Sequence, residues 1–200
     1  MSSPIPKHLL DVVTETIEPF DVLFPRDAAR NGLCLQFYGA PAESCREQIE
    51  DSLRRFTRGG SAFVALEFWL PQHRRYRTPS EALALLATHD VGLVDRWALR
   101  EVPSVEHVVG AHRVYSQRMV LSARAARALS SVITLGDFGS WERIGARVYV
   151  ARPGEALLRY WDDRGADVLC RDGAVRAAML RTLEPYVDLA LTNAVWPRRT

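Results

Sequence analysis

Residues 156–170 read ALLRYWDDRGADVLC and contain the densest polar signal of the chain. Two apolar runs, 156–161 and 166–170, flank the polar segment Asp162-Asp163-Arg164-Gly165. A short polar segment with a glycine between two strand-like runs is typical of a β-hairpin, and Gly165 is predicted to supply a positive φ angle where the chain reverses. The sequence therefore predicts two antiparallel strands joined by an acidic loop that carries one arginine.

Further strands precede this hairpin. Residues 147–151 are predicted as a strand that a turn over 152–155 joins to the hairpin. Residues 33–38 and 113–122 alternate between apolar and polar side chains, and the near-continuous apolar run 62–70 predicts a strand buried on both faces. Residues 93–109 are ambiguous between an edge strand that Pro103 ends and a loop that includes 105–110. Three late strands joined by turns predict the α+β class, with a single layer of mostly antiparallel sheet and packed helices.

Helical periodicity predicts the packed elements. The clearest helix carries Cys45, Ile49, Leu53 and Phe56 on one stripe, and Gly59-Gly60 predicts its end. A second helix is predicted over 80–88 with Ser80 or Thr78 as its N-cap. A third is predicted over 123–132, with Ser122 as its N-cap and a glycine-rich loop over 135–140 after it.

The two ends of the chain also show helical patterns. Residues 6–18 predict an amphipathic opening helix, and residues 1–18 either belong to a single domain over 1–200 or form an appendage to it. The last helix is amphipathic and begins at Asp172 or Gly173, and Pro185 predicts a kink or a split in it.

The composition of the chain limits which classes of partner, metal site and cellular location are expected. The chain has 200 residues with a net charge of +2, which argues against a nucleic-acid or acidic-membrane partner. Cys34, Cys45 and Cys170 have no paired spacing, so they are predicted to be small core residues in a reducing compartment rather than disulfide or metal ligands. No apolar run is long enough for a membrane span, and no cofactor motif appears. The expectation is a soluble, cytoplasmic protein without a cofactor.

The C-terminal half resembles a bacterial family defined by a domain of unknown function, number 3885. The resemblance covers roughly residues 113–196, and its main motif is Y-D-D-R-G-x-D-V, matched here by residues 160–168. The strand over 117–121 and the segment Gly136-Asp137-Phe138-Gly139 match the other parts of the family pattern. Trp161 is inserted where the family passes directly from tyrosine to aspartate. The resemblance implies this hairpin and a final amphipathic helix, and it implies no activity.

The hairpin loop is the candidate site, and the site residues are Tyr160, Trp161, Asp162, Asp163, Arg164 and Asp167. In the structural interpretation, Arg164 pairs with Asp162 or Asp167 and clamps the turn. In the functional interpretation, the loop is an epitope for another macromolecule, because loops on rigid scaffolds often carry function. His107 and His112 lack the spacing of a zinc helix, so they are predicted to be ordinary loop or edge-strand residues.

Three functions remain open from the sequence. The first is a non-enzymatic binding protein with a protein partner and, in its specific form, an immunity protein that covers the basic active site of a toxin with acidic and aromatic residues. The second is a metal-assisted hydrolase or nuclease that uses Asp162, Asp163, Asp167 and Asp137. The third is a nucleic-acid binder through Arg74, Arg75 and Arg77, where an aromatic residue is interleaved with the basic residues. The first is favoured because the residues show no convergent catalytic set.

Overall fold

The computed structural model describes residues 31–38, 42–70, 77–103, 109–138, 144, 146–152, 154–160 and 164–195. Several predictions fall on residues outside these ranges. They concern the opening helix over 6–18, His107, Arg74 and Arg75, and the loop residues Trp161, Asp162 and Asp163.

Within the described residues, seven strands form one sheet: β1 (Gly32–Gln36), β2 (Ser61–Leu70), β3 (Val94–Pro103), β4 (Val109–Val120), β5 (Ala146–Arg152), β6 (Ala156–Tyr160) and β7 (Gly165–Cys170). Their order is β1-β7-β6-β5-β2-β4-β3, and every neighbouring pair is antiparallel. The prediction of an α+β protein with an antiparallel sheet is confirmed. The ambiguous segment 93–109 contains edge strand β3, which ends at Pro103. Residues 109 and 110, predicted as loop, begin β4.

The same part of the chain contains five α-helices: α1 (Ala42–Thr57), α2 (Pro79–Ala87), α3 (Ala123–Phe138), α4 (Gly173–Thr182) and α5 (Leu189–Val195). The predicted split at Pro185 is confirmed, because a 3-10 turn, Glu184–Tyr186, separates α4 from α5. The predicted caps Thr78 and Ser122 are confirmed as well: Thr78 forms a capping box with Glu81, and Ser122 Oγ accepts from the N–H of Ala125 at 3.0 Å. Helix α4 begins at Gly173, one of the two predicted starts, and Asp172 caps it by accepting from the N–H of Val175 at 2.8 Å.

Helix α3 is longer than predicted. The prediction of a glycine-rich loop over 135–140 is wrong for residues 135–138, which belong to this helix. The prediction relied on the low helix propensity of glycine, which amounts to only about 1 kcal/mol per residue. The preceding turns bury Leu129, Val132 and Ile133 in the core, and such packing outweighs a propensity term of this size.

Both faces of the sheet contain buried side chains. On one face, β-strand residues such as Val64, Leu66 and Val150 join a core cluster with Leu53 of α1 and Leu129 of α3. Alternation along the strands places a second set on the other face, and these residues are also buried: Cys34, Ala65, Tyr149, Ala151, Leu157 and Leu169. We call them the helix face and the second face. The predicted two-sided burial of β2 is confirmed, and all three cysteines are buried.

The outer edge of β1 is covered by groups from the last helices and from the segment between them. The carbonyl of Gly32 accepts from Arg176 at 3.1 Å. The N–H of Cys34 donates to Thr192 Oγ1 at 2.9 Å, and its carbonyl accepts from the N–H of Asp188 at 3.0 Å. Leu35 also forms a β-bridge with Val187. These bonds occupy backbone groups that an edge strand otherwise offers to another chain.

Helix α1 ends in a left-handed conformation that provides a stability test. Arg58 has φ 51° and Gly59 has φ 69°, so the predicted glycine ending is preceded by a non-glycine residue in the same region. We expect Arg58→Gly to leave the free energy of unfolding unchanged or to raise it by up to about 1 kcal/mol, because glycine removes the steric cost of this conformation. Urea unfolding would measure the change in free energy. The substitution also removes the hydrogen bond that Arg58 donates to Thr182 Oγ1.

The control is the same substitution one turn earlier. Arg54 lies within α1, so Arg54→Gly is expected to lower the free energy of unfolding by about 1 kcal/mol. Equal losses at Arg54 and Arg58 would contradict the proposed relief of strain at the helix end.

Candidate functional site

Tyr160, a predicted binding residue, lies in the core. Its side chain is only 2% exposed and stacks on Phe37 with ring centroids 6.0 Å apart. Its hydroxyl lies 2.8 Å from Ser52 Oγ of α1, and burial raises the pKa of the phenol well above its ordinary value. The tyrosine therefore fixes the end of β6 against α1 and is not accessible to a partner.

Asp167, another predicted site residue, is buried on the second face. Its Oδ2 accepts from Arg159 Nη2 at 2.6 Å, and its Oδ1 lies 3.7 Å from Cys34 Sγ. Arg159 and Asp167 are directly opposite each other on β6 and β7. The cation that binds Asp167 is therefore a cross-strand neighbour. The predicted pairing of Arg164 with Asp167 is therefore wrong, because the register of the hairpin places Arg159 opposite Asp167. The other predicted partner of Arg164, Asp162, lies outside the described residues.

Gly165 and Arg164 mark the end of the hairpin loop. Gly165 is the first residue of β7 and pairs with Gln36, so it belongs to a strand and not to the reversal as predicted. The side chain of Arg164 is exposed, and its backbone carbonyl accepts from the N–H of Phe37 at 2.8 Å. The returning side of the loop is thus joined to the end of β1.

Tyr38, which the sequence prediction did not include, is a large exposed side chain beside the hairpin. It is 65% exposed, and its hydroxyl donates to Gln36 Oε1 at 2.6 Å. The side-chain amide of Gln48 bonds to both backbone groups of Tyr38. The alternation that puts Leu33, Leu35 and Phe37 on one face of β1 already places Tyr38 on the opposite side, but its contact with Gln48 is a tertiary feature.

These residues together form one surface at this end of the sheet. We call it the hairpin-end surface and define it by five exposed or half-buried residues: Gln36, Tyr38, Gln48, Arg164 and Asp188. Of the predicted site residues, the structure places Arg164 on this surface, whereas Tyr160 is buried on the helix face of the sheet and Asp167 on the second face.

A polar and aromatic cluster supports the hairpin-end surface from the helix face. Tyr186 packs on Phe37 with ring centroids 5.7 Å apart and donates to Asp51 Oδ2 at 2.6 Å, while Arg55 Nε lies 2.5 Å from the same oxygen. Burial alone would raise the pKa of Asp51, but the hydrogen bonds from Tyr186 and Arg55 hold it below its usual value. Burial and the neighbouring carboxylate raise the pKa of Tyr186 to about 12. The cluster is therefore an anionic carboxylate held by two donors.

The residues assigned to the hydrolase and nucleic-acid-binding alternatives lie only partly within the described ranges. Asp137 lies in α3 and His112 in β4, while Arg77 is half-buried just before the N-cap of α2. Within the described ranges, no group of three or more histidine, cysteine, aspartate or glutamate side chains is arranged to hold a metal ion. Among the helices of these same ranges, none combines the length and apolarity that a membrane crossing needs.

Comparison of the chain with family models, curated proteins and solved structures finds no match. The resemblance of residues 113–196 to the bacterial family therefore stays a prediction from its motif residues.

Proposed function

We propose that this chain is a non-enzymatic bacterial binding protein that recognises another protein through the hairpin-end surface. In its specific form, the partner is a toxin, and the chain is the immunity protein that covers the toxin's active site. The observation that carries the proposal is the side chain of Tyr38, which is 65% exposed although its hydroxyl and its backbone are both held in place.

The residue types of this surface support recognition of a protein. Tyrosine and arginine are enriched among the residues that contribute most to protein–protein binding, because each offers a large contact area with polar atoms at its end. Tyr38 and Arg164 are both exposed, and the bond between Phe37 and Arg164 connects their backbones. A partner that covers one of these residues is therefore in reach of the other.

The support beneath the surface favours binding without a large entropic cost. Phe37 precedes Tyr38, and its ring is held between those of Tyr160 and Tyr186. Gln48 of α1 fixes the backbone of Tyr38. Residues already held in one conformation lose little freedom when a partner binds, which leaves more of the contact energy as affinity.

The buried ion pair argues against the metal-assisted hydrolase. That alternative needs Asp167 as a ligand for a cation, but its Oδ2 is bound by Arg159 at 2.6 Å and the side chain is 1% exposed. A carboxylate that already neutralises a guanidinium gains little from a metal ion and must first lose a strong charge-assisted bond.

The test is binding to the product of the adjacent gene. We expect the two proteins to co-purify, and we expect Tyr38→Ala and Arg164→Ala each to raise the Kd more than about tenfold, as substitutions at central interface residues do. Matched controls are Val120→Ala, at a side chain 63% exposed at the end of β4, and Arg124→Ala, at an exposed position in α3. Calorimetric titration would give the Kd of the wild type and of each of the four variants.

Two outcomes would contradict different parts of the proposal. If the adjacent gene product neither binds nor is toxic to cells, the immunity form fails. If it binds but the Tyr38 and Arg164 variants match the controls in Kd, recognition occurs elsewhere on the chain and the hairpin-end surface is the wrong site.

A further inference from the structure

Tyr38 and Asp188 form a fixed pair within the hairpin-end surface. The Tyr38 hydroxyl lies 3.5 Å from Asp188 Oδ2, while Asp188 Oδ1 accepts from the N–H of Leu191 at 2.8 Å. The backbone N–H of Asp188 is bound to β1 through the carbonyl of Cys34. An exposed aromatic ring and a half-buried carboxylate are thus held side by side.

The charge of this carboxylate is only partly offset within the protein. Throughout the described part of the chain, no arginine forms an ion pair with Asp188. The nearby N-terminus of the short helix α5 contributes a partial positive charge, and the Tyr38 hydroxyl contributes a long contact. The half-buried Asp188 is therefore an acceptor that an external cation would satisfy.

We infer that the hairpin-end surface binds an arginine side chain of the protein partner, stacked on the Tyr38 ring and paired with the Asp188 carboxylate. The planar guanidinium is attracted to the electron-rich face of the ring and directs its N–H groups in a fork that fits a carboxylate. An ammonium group is compact, so a lysine cannot stack on the ring and form two parallel bonds to the carboxylate at once.

This inference rests on the proposed function, because it assigns the chemistry that a protein partner must present there. It also refines that proposal. The recognised group is an arginine side chain in the bound surface of the partner. Tyr38 and Asp188, which are 150 positions apart in the chain, form the arginine pocket that receives it.

The probe is Nα-acetyl-arginine amide, titrated into the full-length chain and followed by ¹H–¹⁵N NMR. We expect saturable shifts of the backbone amides of Tyr38 and Leu191. The neutral analogue, Nα-acetyl-citrulline amide, has nearly the same shape and is expected to bind at least about threefold more weakly, the ratio that an exposed cation–aromatic contact supports.

The matched variants separate charge from structure. Asp188→Asn removes the charge but keeps the oxygen that accepts from Leu191, since asparagine is as good an N-cap as aspartate. It is expected to lower the preference for arginine over citrulline, because the carboxylate charge is lost and only the contact with the Tyr38 ring remains. Asp90→Asn, an exposed change of the same kind at the end of α2, is expected to retain the preference.

Equal binding of the two analogues by the wild-type protein, or an unchanged preference in the Asp188→Asn variant, would overturn the inference. Failure of this inference is distinguishable from failure of the proposed function. If Tyr38→Ala weakens binding of the adjacent gene product and Asp188→Asn does not, the surface is correct and the arginine pocket is not.

Discussion

Replacing Asp167 by alanine is expected to lower the free energy of unfolding by about 3 to 5 kcal/mol, the largest loss that we predict for a polar residue of this chain. The substitution removes the carboxylate that binds Arg159 at 2.6 Å from the opposite position on β7, so a guanidinium that is only 12% exposed loses a strong charge-assisted bond. The measurement is urea unfolding at neutral pH, followed by tryptophan fluorescence.

A double substitution tests whether the lower free energy of unfolding comes from breaking the ion pair between Arg159 and Asp167. Leu157 and Leu169 flank the pair on the second face and are themselves buried. We therefore expect Arg159→Met combined with Asp167→Leu to unfold within about 1 kcal/mol of the wild type, because apolar residues of similar volume often replace a buried ion pair without cost. If Asp167→Ala alone costs less than about 1 kcal/mol, the pair is solvated in solution and its burial is wrong.

Replacing Tyr160 by alanine is expected to cost about 3 to 5 kcal/mol, as large-to-small changes of buried aromatic residues do. The ring fills the space between Phe37 and α1, so its removal leaves a cavity that the strands cannot close. Tyr160→Phe keeps the ring and removes only the bond to Ser52, and it is expected to cost about 1 kcal/mol. Thermal and urea unfolding would measure both.

The comparison with Tyr38 separates a structural tyrosine from a binding tyrosine. Tyr38→Ala is expected to change the free energy of unfolding by less than about 0.5 kcal/mol, because surface substitutions seldom do more. Tyr160→Phe should leave the affinity for a partner unchanged. The reverse result, in which Tyr160→Phe alters affinity while Tyr160→Ala leaves stability intact, would show that Tyr160 is accessible and that its placement in the core is wrong.

Local patterns predicted most of the fold. The caps at Thr78 and Ser122, the start of α4 at Gly173 and the split at Pro185 each depend on a few neighbouring residues, and all four are confirmed. Pairing in the hairpin is local as well. The error at α3 has a different origin, since the packing of its earlier turns outweighs the propensity of a single glycine.

The site was predicted less well because exposure is a tertiary property. The period of two along β6 and β7 separates Tyr160 from Asp167, but it does not show that both faces of the sheet are buried. Tyr38 belongs to the hairpin-end surface because Gln48 and Asp188 approach it from α1 and from the segment before α5. No residue pattern near Tyr38 contains that information.

The pairing of β1 with β7 has a consequence for synthesis on the ribosome. Cys34 and Asp167 are 133 positions apart, so at roughly 5 to 20 residues per second the β1 segment waits about 7 to 27 s for its neighbour to be translated. The groups that cover its outer edge, Asp188 and Thr192, are translated later still. Among the described strands, the first to leave the exit tunnel is therefore among the last to be completed, because its edge is covered only after the segment before α5 and α5 itself have been translated.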